Sequence, residues 1–164
     1  MTLIRPARLE DLDGITAIYN QNVLHSTASF ESTPRTTQQQ QRWFAEHGGR
    51  HPLHVAEENE LVSGWASLSS WSFHDGYDAT TEISVYVTQE RRRQGIGRAL
   101  MESVISAGQR AGVHCIVARI TSANQLSVRL HRNLGFEAVG VMREVGSKFG
   151  KLLDVVVMQK LLEP

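Results

Sequence analysis

The segment that most constrains this chain runs from Val87 to Gly97 and reads VTQERRRQGIG. An alternating strand pattern leads into it and a helical pattern follows, so a basic, glycine-containing turn connects a strand to a helix N-terminus. Backbone N–H groups at a helix N-terminus have no partner within the helix, and glycine lets a ligand approach the main chain closely. The segment therefore predicts a site for a phosphate-bearing ligand, although a plain glycine turn with solvated arginines has the same pattern.

The other strand and helix patterns predict an α/β fold. They follow the order β-α-α-β-β-β-α-β-α-β-β, which favours a mixed central sheet of about six or seven strands with about four helices on its two faces. Neither an internal repeat nor a linker interrupts them, so residues 1–164 are expected to form one domain. Local signals predict an apolar helical face over Leu126, Leu130 and Leu134 and a capping box over Thr37–Gln40. They also predict two final strands, Phe136–Val145 and Leu152–Lys160, joined by a turn over Gly146–Gly150.

Composition restricts the classes of ligand and partner. Lys+Arg and Asp+Glu both number 17, so an anionic ligand needs a local site, and the run Arg91–Arg93 is too short for a nucleic-acid surface. The one cysteine, Cys115, lies in an apolar strand pattern and is expected to be a buried thiol, and the seven histidines lack metal-ligand spacing, so no metal is predicted. No stretch has the length of a membrane span and the first residues are not apolar, so we expect a cytoplasmic protein without membrane or nucleic-acid partners.

Two motifs resemble those of the GNAT acetyltransferase family. Arg92–Gly97 (RRQGIG) matches the pattern [QR]-x-x-G-x-[GA], and Asn124–Phe136 is similar to N-x-x-[SA]-x-x-L-[YH]-x-x-x-G-F. The motifs stand in the order and the strand–helix context of that family. Further segments resemble the phosphinothricin acetyltransferase-like branch, whose substrates include methionine sulfoximine and sulfone: Thr27–Glu31, Gly64–Ser67, Trp71, Tyr77–Asp78, Glu82–Val87 and Gly146–Gly150.

This resemblance implies the GNAT fold, with a bulge near Val85 that splays two strands of the sheet at a cleft for acetyl-CoA. It implies that acetyl-CoA is the acetyl donor and that its pantetheine arm pairs with the backbone of Val85 and Val87. It further implies that Asn124 bonds the pantetheine arm, although Asn124 can equally do no more than cap the helix that begins beside it. The expected cofactor-binding residues are Val85, Tyr86, Val87, Arg92, Arg93, Gln94, Gly95, Ile96, Gly97, Arg98, Asn124 and Ser127.

Two side chains are expected to move protons. Glu82 matches the glutamate that this branch is thought to use as a base, directly or through water, and His131 stands where the family places a proton donor for the departing thiolate. Each also has a structural interpretation: an exposed strand glutamate, and a helix-face histidine satisfied by a neighbour.

The resemblance also suggests the amine pocket and the reaction. Its expected residues are Phe30, Glu31, Trp71, Tyr77, Lys148 and Phe149, although Trp71 can equally belong to the core and Lys148 to the surface. Ser72 and Leu152 stand where relatives often carry Arg and Trp, so the particular amine stays open. The implied activity is acetyl transfer to the primary amine of a small, amino-acid-like molecule by a homodimer. The alternatives are acetylation of a protein N-terminus or lysine, and a non-catalytic acyl-CoA sensor.

Overall fold

The computed structural model describes residues 1–164 and has the predicted order of elements. Seven strands and four helices form the fold, and no helix is long and apolar enough to cross a membrane. The strands are β1 Leu3–Pro6, β2 Leu53–Glu58, β3 Leu61–Ser70, β4 Thr80–Val87, β5 Cys115–Thr121, β6 Glu137–Lys148 and β7 Lys151–Leu161. The helices are α1 Leu12–His25, α2 Thr37–Ala45, α3 Ile96–Arg110 and α4 Gln125–Asn133.

One mixed sheet contains all seven strands in the spatial order β1-β2-β3-β4-β5-β7-β6. Every neighbouring pair is antiparallel except β4 and β5, which are parallel and joined through α3. Parallel neighbours need a long crossover connection, which α3 provides, whereas short turns suffice for the hairpins β2–β3 and β6–β7.

The sheet opens in its middle, between β4 and β5. These strands pair only from Thr80 opposite Cys115 to Glu82 opposite Val117. Beyond that point β4 continues against β3 to Val87, and β5 continues against β7 to Thr121. The predicted splay is therefore present. The predicted bulge near Val85 is not, because the β3–β4 register is continuous and the strands part simply where their pairing stops.

Two apolar cores cover the two faces of the sheet. Leu53, Val55 and Trp65 point to one face, where they pack against α1 and the aromatic side chains of α2. Alternation along the strands directs Ala66 and Leu68 to the other face, against α3 and α4. Successive side chains along one strand therefore point to opposite faces of the sheet, so neighbouring residues in the sequence lie in different cores.

Two local predictions on the helices need correction. The capping box uses Thr36 and Gln39, one residue before the predicted pair: Gln39 N donates to Thr36 Oγ1 at 3.2 Å, and Thr36 N donates to Gln39 Oε1 at 2.9 Å. Gln40 is consequently turned inward, where its Oε1 accepts from Arg35 Nη1 at 3.1 Å. Of the apolar face predicted for α4, Leu126 is 50% exposed, whereas Leu130 and Leu134 pack against the core as predicted. The fully buried residues of this helix are Val128 and His131.

The final hairpin is longer than its sequence pattern indicated. Only Phe149 and Gly150 form the turn, both with positive φ (53° and 73°), as a two-residue hairpin turn requires. The predicted turn over Gly146–Gly150 is therefore mostly strand. This extension carries Lys148 to the end of β6, beside the C-terminal end of α1.

The burial of three histidine side chains allows a prediction of how the free energy of unfolding depends on pH. Burial holds the pKa of His47, His54 and His131 below the ordinary histidine value in the folded chain. Below about pH 6.5 the unfolded chain then binds more protons than the folded one, so the free energy of unfolding falls as the pH falls from about 7 to about 5. Urea unfolding at several pH values measures this decrease.

The variant His54→Asn keeps a hydrogen-bonding group near Ser103 Oγ, which lies 2.7 Å from His54 Nδ1, and removes one titrating group. We expect a shallower decrease of stability with acid in this variant. The exposed His25→Gln variant is the control and should keep the wild-type slope. An unfolding free energy that rises between pH 7 and about pH 5 would contradict the prediction.

Candidate active site

A cleft of about 560 Å³ lies where β4 and β5 part. Its walls come from β4, β5, α4, the loop between α1 and α2, and the β6–β7 hairpin. Eight predicted site residues line this cleft: Phe30, Glu31, Glu82, Val85, Tyr86, Asn124, Ser127 and His131. The structure thus brings together residues that are separated by as many as a hundred positions in the chain.

The edge of β4 offers free main-chain groups to the cleft. Thr88 N donates to Ser63 O at 2.9 Å across β3 and β4, and antiparallel pairing alternates along the strand. The N–H and C=O groups of Val85 and Val87 therefore point away from β3, to the side where no β5 residue pairs with them. Of these four groups, only the C=O of Val87 is engaged, by Arg92 Nε at 3.3 Å. An extended ligand with amide groups can occupy this position as an added strand would.

The N-terminus of α3 fits a phosphate group. The first helical bond runs from Ala99 N to Gly95 O, and the N–H groups of Ile96, Gly97 and Arg98 donate to no acceptor within the chain. Gly95 has a φ of +81° and no atom within 4 Å of the place where a Cβ would stand, so the space above it is open. Free N–H groups at the positive end of a helix are a general anion site.

The arginines around this turn differ in how they are engaged. Arg92 Nε donates to Val87 O at 3.3 Å, and Arg98 pairs with Glu102 at 2.8 Å. Arg93 is exposed, has a φ of +61°, and makes no hydrogen bond or ion pair within the chain. Ile96 is buried in the core, so its backbone N–H alone is available to a ligand.

Glu82 lies in the cleft with both carboxylate oxygens held by Arg119. Arg119 Nε donates to Oε1 at 2.6 Å and Nη2 donates to Oε2 at 2.7 Å, which is the two-pronged geometry of a strong ion pair. The hydrogen bonds that Arg119 donates to Glu82 raise the pKa of the Arg119 guanidinium. Sequence reasoning missed Arg119. The available signal was a single charged residue in the otherwise apolar strand CIVARIT.

Trp71 contributes to the site through Arg119 and does not line the cleft. Its ring lies 5.6 Å from Arg119 Cζ, within the range of a cation–π contact. Tyr77 lies in a single-turn helix outside the cleft walls, and Phe149 lies exposed in the β6–β7 turn. Neither of these two predicted pocket residues contacts the cleft in this structure.

His131 is buried and fixed in one tautomer. It is 3% exposed, and its Nδ1 lies 2.8 Å from Ser127 O. A carbonyl oxygen only accepts, so Nδ1 carries the proton and Nε2 has none in the neutral ring. Burial also lowers the pKa of His131, which favours that neutral ring at pH 7. In this state Nε2 is an acceptor, so the predicted donation of a proton by His131 requires that Nε2 first be protonated.

Lys148 also departs from its predicted role as an anion contact. It is 5% exposed, and its Nζ donates to the carbonyl oxygens of Ser29 at 2.6 Å, Ser26 at 2.7 Å and Asn22 at 3.4 Å. An ammonium has three N–H groups, so none remains for a substrate. Burial lowers the pKa of Lys148, while the nearby Glu31 carboxylate acts against that shift.

These contacts hold the loop between α1 and α2 beside the cleft. Tyr86 OH donates to Ala28 O at 3.2 Å, and Thr121 Oγ1 donates to Thr27 O at 3.0 Å, so the loop is fastened to both splayed strands. The Phe30 ring packs on Gly146, where a Cβ would come within 2.2 Å of a ring carbon. Glycine at position 146 is therefore needed for Phe30 to keep this place beside the cleft.

Asn124 takes the capping role predicted for it. Ser127 N donates to its Oδ1 at 3.2 Å at the start of α4. Its side-chain Nδ2 donates to no acceptor within the chain and remains available to a ligand in the cleft.

Comparisons with known proteins agree with this geometry. The Acetyltransferase (GNAT) domain family matches residues 4–157. The chain is 41% identical over 163 residues to L-methionine sulfoximine/L-methionine sulfone acetyltransferase of Pseudomonas aeruginosa, covering 98% of this chain and 95% of that protein. It is 34% identical to phosphinothricin N-acetyltransferase of Streptomyces coelicolor, covering 97% of this chain and 95% of that protein.

A solved structure shares the fold closely. The acetyltransferase yncA of Salmonella typhimurium, determined with its cofactor acetyl-CoA, superimposes with a TM-score of 0.96 at 39% identity, covering 100% of this chain and 95% of that one. The resemblance inferred from the two motifs is thereby confirmed. The chain belongs to the GNAT family of N-acetyltransferases, enzymes that take their acetyl group from acetyl-CoA.

Proposed function

We propose that this enzyme acetylates the α-amine of a small amino acid or a close analogue, with Glu82 as the base. The observation that carries the proposal is the place of Glu82: it lies in the cleft, on the opposite face of the sheet from the free N-terminus of α3. The relatives that act on methionine sulfoximine, methionine sulfone and phosphinothricin support an amino-acid-like substrate.

The cleft passes through the sheet, which separates two binding half-sites. Ile83 belongs to the core on the α3 side, so its neighbour Glu82 points to the α1 side. His131 packs edge-on against Phe136 on the α3 side, with ring centres 5.1 Å apart. An acyl donor bound on the α3 face and an amine bound on the α1 face therefore meet in the gap between the strands.

The acyl-donor half-site is formed by main-chain groups. Acetyl-CoA supplies a thioester whose carbonyl carbon is open to attack by an amine. The free N–H groups at the start of α3 suit its diphosphate, and the exposed edge at Val85 and Val87 suits its amide-containing arm. Asn124 Nδ2 and the unprotonated Nε2 of His131 add one donor and one acceptor, so we propose that His131 orients the arm through Nε2.

Glu82 acts on the amine. An ammonium has no lone pair for attack, so a base must take its proton first. Arg119 keeps the Glu82 carboxylate in place by one hydrogen bond to each oxygen, and each oxygen retains a lone pair for an ammonium or a water. Because Arg119 holds the carboxylate in place, the base already stands beside the ammonium group when the substrate binds.

The loop between α1 and α2 favours a small substrate. Phe30 and Glu31 stand on the α1 side of the cleft, and Arg35 Nη2 holds Glu31 at 2.6 Å. Although burial opposes it, the hydrogen bond from Arg35 keeps the pKa of Glu31 below its ordinary value. Because the charged Glu31 and its loop are held in place on this side of the cleft, the site suits a free amino acid better than a polypeptide segment.

We also propose a homodimer in the cytoplasm, with residues 1–164 acting as one domain. Strand β6 lies at the edge of the sheet with Val139 and Val141 more than half exposed and outside the cleft, which suits a second copy. The free Cys115 thiol is compatible with a reducing compartment.

A thiol-release assay with acetyl-CoA tests the proposed function. The amine panel contains L-methionine sulfone, L-methionine sulfoximine, phosphinothricin, the common amino acids, polyamines and peptides bearing free N-termini or lysines. We expect release that depends on an amino acid. Turnover only with peptides would favour a protein substrate, and binding of CoA without any turnover would favour a sensor.

Glu82→Gln is expected to lower kcat at least roughly tenfold, because the amide cannot accept the ammonium proton. Affinity for acetyl-CoA, measured by calorimetry, should change little, since the acyl-donor half-site lies on the other face. Glu10→Gln, at an exposed position outside the cleft, is the matched control. Turnover of Glu82→Gln at the wild-type rate would remove Glu82 from the mechanism.

Lys148→Met is expected to destabilise the fold by about 2–4 kcal/mol, because three carbonyl groups lose a charged donor in a buried place. The released loop should raise KM for the amine more than it raises the Kd of acetyl-CoA. Thermal unfolding and steady-state kinetics measure the two effects, with the exposed neighbour Lys151→Met as the control. An unchanged Tm would show that the three contacts contribute nothing.

A further inference from the structure

Resting on the proposed function, we propose that Arg119 binds the carboxylate of the substrate with the guanidinium edge that Glu82 leaves free, and so restricts the enzyme to α-amino acids and close anionic analogues. Arg119 is then a specificity-determining residue of the amine half-site as well as the partner of Glu82.

Arg119 has donors to spare. A guanidinium carries five N–H groups, and Glu82 takes one from Nε and one from Nη2. Both N–H groups of Nη1 and the second of Nη2 have no acceptor within the chain. The side chain is 52% exposed and lines the cleft, so a ligand can reach that edge.

Among the residues that line the cleft, Arg119 is the only lysine or arginine. Lys148 lies close by, but its three N–H groups are used by carbonyl oxygens. Arg35 is directed at Glu31, Gln40 and Tyr19. An anionic group that enters the cleft therefore has a single strong partner, and that partner presents the fork that matches a carboxylate.

The pair Arg119–Glu82 is complementary to a zwitterion. It places one cation and one anion side by side, and an α-amino acid carries the opposite pair on a single carbon atom. With its carboxylate on Nη1 and Nη2, the amine comes next to the Glu82 carboxylate, which is where proton removal is needed. The Trp71 ring, 5.6 Å from Cζ, helps to keep the guanidinium in this orientation.

The test compares L-methionine sulfone with its carboxamide, which keeps the α-amine and the side chain but lacks the charge. We expect the wild-type enzyme to prefer the acid in kcat/KM, and Arg119→Gln to reduce that preference at least roughly tenfold, mainly through KM for the acid. Arg119→Lys should restore only part of it, because an ammonium lacks the fork. Arg110→Gln, remote on α3, should keep the wild-type preference, and thermal unfolding checks that each variant is folded.

Equal losses on acid and carboxamide in Arg119→Gln would show that Arg119 serves Glu82 alone, and the inference would be wrong. An enzyme that acetylates only amines without a carboxylate would also overturn it, while leaving acetyl transfer intact. If the wild-type enzyme acetylates no amine, the proposed function fails separately. Calorimetric binding of L-methionine sulfone in the presence of CoA then decides the inference: binding that Arg119→Gln abolishes supports it, and no binding, or equal binding by both proteins, refutes it.

Discussion

The parting of β4 and β5 after Glu82 is the constraint on which the site depends. A sheet normally pairs each main-chain N–H and C=O, and leaving a stretch of them unpaired is unfavourable unless another partner is supplied. Here the opening exposes the backbone at Val85 and Val87 and aligns it with the free N-terminus of α3. Ile83 of β4 and Ile116 of β5 pack into the same core on the α3 face, so side-chain packing holds the two halves of the sheet together where their backbones part.

Side-chain contacts with backbone carbonyls complete the walls of the cleft. Tyr86, Thr121 and Lys148 all donate to carbonyl oxygens at the C-terminal end of α1 or in the loop that follows it. These donors come from three different strands, so the loop is positioned by the whole centre of the sheet. Its place over the cleft consequently requires the β6–β7 hairpin to be folded, although that hairpin is more than a hundred residues away in the chain.

The sequence predicted the order of the elements and the two ligand motifs, because periodicity and helix-start signals are local. The roles of Lys148 and Trp71 could not be predicted in the same way. A lysine beside a hairpin turn has the pattern of a surface residue, and only the packing of β6 beside α1 shows that carbonyl oxygens surround it. Arg119 likewise interrupts an apolar strand visibly, but its partner Glu82 is known only once the β4–β5 register is known. The individual site residues remain predictions.

The three paired residues between β4 and β5 also have a consequence for the dynamics of the folded sheet. Every other pairing of neighbouring strands contains at least four residue pairs, and the β3–β4 and β5–β7 pairings on either side of the seam contain seven each. Fewer inter-strand hydrogen bonds therefore hold the seam than hold the strands beside it. Local opening of the sheet is expected first at this seam, where amide hydrogens should exchange faster than in the longer antiparallel pairings.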